Sequence, residues 1–136
     1  MNAGIPSETL PVRSSEDVVI VRQRVRAWAL QEGFGLIDQT KLVTAASELA
    51  RNTLAYGGGG SVLIEALSQA GRRGLKLTFE DQGPGIADIE RAMQDGYTSG
   101  AGLGLGLGGA KRLSNEFEIA SRPGEGTRVT IVRWKK

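Results

Sequence analysis

The chain has 136 residues, of which 40% are hydrophobic and 24% charged, as expected for a soluble globular protein that buries its core in a single domain. Cysteine and histidine are both absent, which excludes disulfides, thiolate or imidazole metal sites, and Cys or His nucleophiles. The net charge of +2 is only mildly basic, and no segment approaches the ~18 apolar residues of a membrane span. We therefore expect one cytoplasmic domain over residues 1–136, without nucleic-acid or membrane partners.

The start of the chain predicts a strand and a helix. Residues 1–13 are expected to form a partly flexible N-terminus or an edge strand, with the strand over residues 8–13. Ser14 or Ser15 can cap a following helix that extends to about Gln31, because a serine hydroxyl accepts from the free N–H groups of a first turn. Apolar residues recur along this helix at helical spacing, at Val18, Val21, Val25 and Trp28.

A second helix is predicted to begin at Asp38, a candidate N-cap, and to end at about Tyr56. Four consecutive glycines at positions 57–60 then break it. Its predicted inner face consists of Leu42, Ala45, Ala46, Leu49 and Thr53.

The second half of the chain predicts two antiparallel hairpins. In the first, residues 61–68 and 75–80 are joined by a turn over Gly71-Arg72-Arg73-Gly74. In the second, residues 116–121 and 127–134 alternate in polarity around Pro123-Gly124-Glu125-Gly126. Between the hairpins we expect short helices over residues 86–93 and 106–115, with a mobile, glycine-containing stretch over residues 95–101.

Glu48 and Asn52 lie one helical turn apart, so their side chains project from the same face of the second helix. A carboxylate there can accept a proton from a hydroxyl that attacks a γ-phosphate, and an amide oxygen can hold Mg²⁺ beside the phosphates. Taken alone, the pair favours a simpler interpretation, in which it belongs to the solvated side of an amphipathic helix that also includes Thr44 and Arg51.

Asp81 follows a predicted strand and is followed by Gly83 and Gly85. A carboxylate on a backbone without Cβ atoms can come close to a flat ligand, and an adenine amino group is a suitable donor. Asp, Gly and Pro are also the residues of an ordinary turn at the end of a strand. Thr127 offers a hydroxyl that could support adenine, or it is a generic hairpin residue.

A run of alternating glycines, which includes Gly102, Gly104 and Gly106, leads into a predicted helix. Exposed backbone N–H groups and the positive helix terminus attract phosphate, although the run could also be a close-packed loop. No strand is predicted before the run, and no Walker lysine follows it at the required position, which excludes the dinucleotide-binding and P-loop folds.

Taken in order, these segments resemble the N, G1 and G2 boxes and the terminal Gly-x-Gly-Thr of the GHKL (Bergerat-fold) ATPase/kinase superfamily. The similarity spans roughly residues 40 to 130, and the order of four motifs makes it specific. It implies an α+β two-layer sandwich, with a mixed, mostly antiparallel sheet and helices packed on one face.

The resemblance also implies a role for each matching residue. Glu48 would be the catalytic base, Asn52 the Mg²⁺ ligand and Asp81 the adenine reader, so that ATP and Mg²⁺ are the implied cofactors. The remaining residues would complete the nucleotide site: Gly83 and Gly85 in the adenine pocket, Gly102, Gly104 and Gly106 in a phosphate lid, and Thr127 beside the adenine.

Within the superfamily, the whole chain is similar to the serine/threonine switch kinases of the bacterial stressosome. That similarity implies a kinase that phosphorylates STAS-domain proteins, is held by them, and on release activates a PP2C-type phosphatase in stress signalling by partner switching. Anti-sigma factor kinases, which sequester a sigma factor and phosphorylate its antagonist, share the same ATP motifs and are the alternative.

Overall fold

The protein is built on a five-stranded antiparallel sheet. The computed structural model describes residues 5–86, 89, 93 and 106–135. In chain order the elements are β1 (Ser7–Val12), α1 (Ser15–Gln31), α2 (Leu36–Ala55), β2 (Gly60–Gln69), β3 (Arg72–Asp81), α3 (Gly106–Arg112), β4 (Glu116–Ser121) and β5 (Thr127–Trp134). The strand order is β1-β2-β3-β5-β4, and all four pairings are antiparallel.

The core lies between one face of this sheet and the helices. Leu75, Leu77 and Phe79 alternate along β3 and are completely or almost completely buried, because successive side chains of a strand point to opposite faces. Helices α1 and α2 cover this face, and α3 packs against α2. Each large apolar side chain buried there stabilises the fold by roughly 1.5–3 kcal/mol. The predicted α+β sandwich with helices on one face is therefore confirmed.

The two long helices begin differently. Helix α1 has the predicted N-cap, since the Ser14 hydroxyl accepts from the Asp17 N–H at 3.2 Å. Helix α2 begins before Asp38, with Gly35 as its N-cap, so the predicted capping role of Asp38 is wrong. The Asp38 carboxylate instead binds Arg133 of β5, at 2.6 Å between Oδ1 and Nη2.

The side chains that face the core follow the predicted patterns with one exception. All five predicted inner positions of α2 are buried, and so are Val18, Val21 and Val25 of α1. Trp28 is only half-buried, and Ala29 takes the corresponding core position. None of the helices in the described part of the chain is long and apolar enough to cross a membrane.

The first hairpin turns more tightly than predicted. Gln69 pairs with Arg72, so the turn consists of Ala70 and Gly71 alone, with φ angles of +53° and +81°. The predicted four-residue turn is wrong because Arg72 to Gly74 belong to β3, where Gly74 lies under the ring of Trp134.

The second hairpin has the predicted bounds, and α3 ends at Arg112 rather than near Asn115. Most of the helix predicted over residues 86–93, and all of the stretch predicted to be mobile over residues 95–101, lie outside the described residues.

Edge strand β1 is attached to α1 through Glu8. The Glu8 carboxylate accepts from Trp28 Nε1 at 2.8 Å and from Arg24 Nε at 2.9 Å. The Trp28 hydrogen bond is the main cause that lowers the pKa of Glu8 below 4.5; burial opposes it, and the hydrogen bond and charge of Arg24 add smaller lowering effects.

We predict that Glu8 makes stability depend on acid pH. Because the pKa of Glu8 is lower in the folded chain, its stabilising contribution is complete above the unfolded value of 4.5 and is lost as the pH falls through the folded value. Urea unfolding at about pH 6 and about pH 3 should show a smaller loss of stability in Glu8→Gln than in the wild type. Trp28→Phe, which removes the main donor, should also reduce the loss; equal losses in all three proteins would contradict the assignment.

We also predict that Ala70→Asn stabilises the hairpin by about 1 kcal/mol. Alanine in the left-handed region is strained by roughly 1–2 kcal/mol, whereas Asn-Gly is the preferred pair for this two-residue turn. The measurement is the midpoint of thermal or urea unfolding, with Gly71→Ala as the opposite control, expected to destabilise by a similar amount. An unchanged midpoint in Ala70→Asn would show that the turn is not strained.

Candidate functional site

Four residues from four neighbouring strands form the last row of the sheet on its helix-facing side. Asp81 of β3 pairs with Gly60 of β2 and with Thr127 of β5, and Thr127 pairs with Ser121 of β4. Asp81 is only 9% exposed. A carboxylate, two hydroxyls and a residue without a side chain thus lie in one row across the ends of four strands.

Glycines surround Asp81 on several sides. A Cβ at Gly57 would overlap the Asp81 carboxylate, and one at Gly126 would overlap the Asp81 carbonyl oxygen. A Cβ at Gly83 would lie 2.6 Å from Gly57 Cα, so these two backbones are also in contact. Asp81 Oδ1 accepts from the Gly83 N–H at 2.9 Å, which fixes the carboxylate and directs its other oxygen elsewhere. The surroundings of Asp81 are therefore backbone atoms, against which a flat ligand can lie closely.

The segment after Asp81 is bound to the β4–β5 turn. The Ile86 N–H donates to Ser121 Oγ at 2.7 Å, and the Gly124 N–H donates to the Pro84 carbonyl at 2.6 Å. Gly85 has a φ of +78°, and a Cβ there would overlap the carbonyl of the neighbouring turn. The backbone after β3 is therefore held in one position relative to the strands that carry Ser121 and Thr127.

Thr127 reaches this network through Ser121. The two hydroxyl oxygens are 2.8 Å apart, and Ser121 Oγ also donates to the Gly126 carbonyl at 3.0 Å. Sequence reasoning missed Ser121, because a serine at the end of a strand carries no distinguishing signal. It also missed Gly57, whose run of four glycines was interpreted only as the end of a helix.

Glu48 lies on α2, but not on its solvated side. Its side chain is 6% exposed, and Oε2 lies 3.3 Å from Nη2 of Arg51, which also donates to the Ser47 hydroxyl. The interpretation of Glu48 as part of a solvated helix face is therefore wrong. A dry carboxylate with an ion-pair partner on its own helix has a fixed position.

Asn52 is half-buried and lies one turn nearer to Asp81 than Glu48 does. Gly57, which contacts the Asp81 carboxylate, lies about 7.5 Å beyond Asn52 along the helix direction, at 1.5 Å per residue. The N–H groups of Gly57 and Gly59 both donate to the Thr53 carbonyl at 3.1 Å, so the end of α2 leads directly to Asp81. The C-terminal turns of α2 therefore bring Asn52 to the same end of the molecule as Asp81.

Only part of the predicted phosphate loop can be placed. Gly102 and Gly104 lie outside the described residues. Gly106 is the first residue of α3, with a φ of +52°, and it is buried. Because α3 packs against α2, the end of the glycine run reaches the helix that carries Glu48 and Asn52.

A cleft of about 450 Å³ opens at the same edge of the sheet. Its described walls combine Asp81, Ser121 and Thr127 with residues of the opposite face of the sheet, namely Glu80, Ala120 and Arg128, and they include neither Glu48 nor Asn52. Small-molecule pockets commonly have volumes of ≈ 300–1,000 Å³. The cleft therefore has room for a ligand beside Asp81, while the α2 side chains lie beyond it.

The donors available to a metal ion are oxygen atoms, since the chain has no cysteine or histidine. No three acidic side chains among the residues that the structure describes are grouped to hold a metal. Asn52 offers one amide oxygen. Such a sparse set fits Mg²⁺, which keeps waters and is completed by the phosphate oxygens of its substrate.

Comparison with protein families and with curated proteins places this geometry in a known context. The model of the histidine kinase-, DNA gyrase B-, and HSP90-like ATPase family matches residues 37–136. The chain is 48% identical over 118 residues to the serine/threonine-protein kinase RsbT of Bacillus subtilis (strain 168), which covers 87% of this chain and 89% of that protein. It is 31% identical over 125 residues to the anti-sigma F factor of Thermoanaerobacter sp. (strain X514), which covers 88% and 87%.

Two solved structures have the same fold as this chain. The mycobacterial sensor histidine kinase MprB aligns over 96% of this chain and 99% of its own, with a TM-score of 0.55 and 23% identity. A chain of the SiaB-SiaC complex from Pseudomonas aeruginosa aligns over 95% and 89%, with a TM-score of 0.54 and 13% identity. At these identities the structures support the α+β architecture and nothing finer.

The packing of Gly57 yields a prediction for ligand binding. In Gly57→Ala, the new methyl group must displace the Asp81 carboxylate, so we expect the affinity for ATP to fall at least about tenfold, or 1.4 kcal/mol. The measurement is calorimetric titration with ATP, alongside thermal unfolding to show that the domain remains folded.

Gly35→Ala is the matched control, because nothing lies within 4 Å of a Cβ at that position. It should bind ATP as the wild type does. Wild-type affinity in Gly57→Ala would mean that the position of the Asp81 carboxylate does not matter for the nucleotide.

Proposed function

The chain belongs to the histidine kinase-, DNA gyrase B-, and HSP90-like ATPase family and is an ATP-dependent serine/threonine-protein kinase; we propose that it phosphorylates STAS-domain proteins in a bacterial partner-switching pathway. The observation that carries the proposal is the rigid, Cβ-free environment of Asp81 in a chain 48% identical to a serine/threonine-protein kinase. We further propose that the protein acts in the cytoplasm.

Asp81 is proposed to recognise the adenine. Its Oδ1 is engaged by the Gly83 N–H, which leaves Oδ2 to accept from the adenine amino group. Gly83 and Gly85 let the backbone approach the ring, and the Thr127 hydroxyl, held by Ser121, supports the same side of the pocket. Gly102, Gly104 and Gly106 are proposed to close over the phosphates.

Glu48 is proposed as the catalytic base. The acceptor hydroxyl oxygen attacks the γ-phosphorus, the bond from that phosphorus to the β,γ-bridging oxygen breaks, and ADP leaves. The hydroxyl proton passes to Glu48, because serine and threonine hydroxyls are weak nucleophiles at neutral pH. The contact with Arg51 uses Oε2, which leaves Oε1 outside this ion pair for the proton transfer.

Asn52 is proposed to hold Mg²⁺ through its amide oxygen. When bound, Mg²⁺ neutralises charge on the β- and γ-phosphates. Asn52 and Glu48 lie one turn apart on a rigid helix, so the metal ligand and the base keep a constant separation.

The pathway role rests on resemblance to the stressosome switch kinases. We propose that a STAS-domain protein holds the kinase, that phosphorylation of the STAS protein releases it, and that the free kinase activates a PP2C-type phosphatase. The similarity to an anti-sigma F factor supports a second candidate function, in which the chain sequesters a sigma factor and phosphorylates its antagonist.

Pull-down of purified STAS protein and sigma factor, with and without ATP, separates the two functions. Retention of the STAS protein alone supports the switch kinase. Retention of the sigma factor would support the alternative.

Substitution of Glu48 and Asp81 should separate catalysis from nucleotide binding. Glu48→Gln should bind ATP with wild-type affinity but transfer phosphate to the STAS protein about 10²–10⁴-fold more slowly, because it removes a positioned base. Asp81→Asn should lose ATP binding itself, because an amide group replaces the acceptor. Labelled ATP measures transfer, and titration calorimetry measures affinity.

Glu118→Gln is the matched control for Asp81→Asn. Glu118 is an exposed carboxylate of β4 on the opposite face of the sheet, and it does not line the cleft beside Asp81. It should retain both activities. Normal transfer in Glu48→Gln would remove Glu48 as the base, and normal ATP affinity in Asp81→Asn would remove Asp81 as the adenine reader.

A further inference from the structure

Thr127 lies between two polar side chains in the last row of the sheet. It pairs with Asp81 of β3 on one side and with Ser121 of β4 on the other. Side chains directly opposite each other on neighbouring antiparallel strands have Cβ atoms about 4.5–5.5 Å apart. All three residues line the cleft. The Thr127 hydroxyl thus has a hydroxyl on one side and a carboxylate on the other, and the direction of its proton decides what the cleft offers to a ligand.

Ser121 Oγ makes three short polar contacts, which together fix the position of its proton. The Ile86 N–H, at 2.7 Å, can only donate to it, and the Gly126 carbonyl, at 3.0 Å, can only accept from it. A serine hydroxyl has one proton and two lone pairs. The proton therefore goes to Gly126, and one lone pair accepts from Ile86. The other lone pair remains for the Thr127 hydroxyl, whose oxygen is 2.8 Å away.

Thr127 is then the donor in its contact with Ser121. In the opposite arrangement, with Ser121 donating to Thr127, the oxygen atoms of Ser121 and Gly126 would lie 3.0 Å apart with no proton between them. The first arrangement makes all three contacts hydrogen bonds, and buried polar groups are nearly always paired in this way. Ser121 therefore holds the Thr127 proton on the side away from Asp81.

Thr127 Oγ1 consequently offers the cleft lone pairs and no proton. Asp81 Oδ1 is engaged by the Gly83 N–H, and Oδ2 is an acceptor as well. A hydroxyl beside a carboxylate otherwise tends to donate to it, because a hydrogen bond to a charged acceptor is about twice as strong as a neutral one. By accepting the Thr127 proton, Ser121 leaves both Asp81 Oδ2 and Thr127 Oγ1 as acceptors at this end of the sheet.

We infer that Ser121 sets the base selectivity of the nucleotide site by holding Thr127 as a hydrogen-bond acceptor. The inference rests on the proposed function, in which Asp81 recognises adenine. Two acceptors complement a purine with an amino group at C6, since that group has two N–H bonds. A keto oxygen at C6 would bring a third acceptor to the same place, and polar groups left unpaired in a pocket make a site reject an analogue. Ser121 is thus a positioning residue that acts through Thr127.

A simpler role for Ser121 is that of a structural tie, because it attaches Ile86 to the β4–β5 hairpin. The two roles differ in their effect on different nucleotides. A loosened backbone after Asp81 would weaken the binding of every purine nucleotide by a similar factor. A freed Thr127 proton would instead change the preference among them, because it can compete with an amino group for Asp81 Oδ2 and can donate to a keto oxygen.

The test compares ATP with inosine triphosphate, which has the same ribose and phosphates but a keto group in place of the amino group at C6. Titration calorimetry, with displacement of ATP for weak binders, measures both affinities in the full chain and in Ser121→Ala, Thr127→Val and the double variant. Ser114→Ala is the matched control. Ser114 Oγ also donates to a backbone carbonyl, that of Ala110 at 2.7 Å, but Ser114 does not line the cleft. Thermal unfolding of each variant checks its folding.

We expect Ser121→Ala to bind ATP at least about tenfold more weakly than the wild type, because the freed Thr127 proton competes for Asp81 Oδ2. Its affinity for inosine triphosphate should be unchanged or higher, so the preference for ATP narrows. The Ser114→Ala control should keep both affinities. In the Thr127→Val background, Ser121→Ala should not change the preference further, because the hydroxyl on which it acts is gone.

Equal losses of affinity for both nucleotides in Ser121→Ala would identify Ser121 as a structural tie and overturn the inference. A wild type without a preference for ATP, unchanged affinities in Ser121→Ala, or the same narrowing in the Thr127→Val background would also overturn it. If Ser121→Ala unfolds, Ser121→Cys decides in the same way, since a thiol keeps the shape of serine but is a weak donor and acceptor.

Failure of the proposed function would give different results. Normal ATP affinity in Asp81→Asn would remove the adenine reader itself, whatever the behaviour of Ser121→Ala. Failure of the wild-type chain to phosphorylate the STAS protein would overturn the proposed substrate, but the two nucleotide affinities would still decide the role of Ser121.

Discussion

The candidate site depends on the absence of side chains around Asp81. Gly57, Gly83 and Gly126 each bring backbone atoms to a distance that no Cβ would permit, and Gly60 does the same beside the last pair of β2 and β3. Protein interiors are close-packed, so one added methyl group at such a point must move a neighbour. The position of the carboxylate is therefore fixed by packing as well as by the Gly83 hydrogen bond, which is how a binding group is held ready before its ligand arrives.

Much of this architecture could be predicted from the sequence, because it follows from periodicity. The buried face of α2 and the bounds of the second hairpin follow from spacings of 3.6 and 2 residues. What could not be predicted depends on contacts between distant segments. Asp38 had the chemistry of an N-cap, but Arg133 binds it from 95 positions away along the chain. Gly57 was visible as a helix breaker, yet its contact with Asp81 exists only once α2 and β3 are packed together.

The buried pair of Arg133 and Asp38 connects the helices that carry the proposed phosphate-handling groups. Arg133 Nη2 binds Asp38 in the first turn of α2, while Nη1 donates to the Leu113 carbonyl just after α3, both at 2.6 Å. Breaking a buried pair by removal of one partner typically costs 3–5 kcal/mol, because the other charge stays uncompensated. The relative position of α2 and α3, and with it that of Glu48 and Gly106, is thus secured from the end of the molecule that is remote from the nucleotide.

The burial of Glu48 bears on whether the phosphoryl acceptor is a protein hydroxyl or a water molecule. If Glu48 is the base, its 6% exposure leaves little room for bulk solvent around the carboxylate. A hydroxyl carried by a partner arrives already positioned by the contacts that the partner makes elsewhere, whereas a water molecule must be ordered by the site itself. Arg51 is half-exposed, at 42%, and belongs to the same helix turn as Glu48. An approaching protein would therefore meet an accessible guanidinium beside a buried carboxylate. With Glu48 as the base, the geometry of α2 would therefore favour phosphoryl transfer to a docked protein over hydrolysis of ATP.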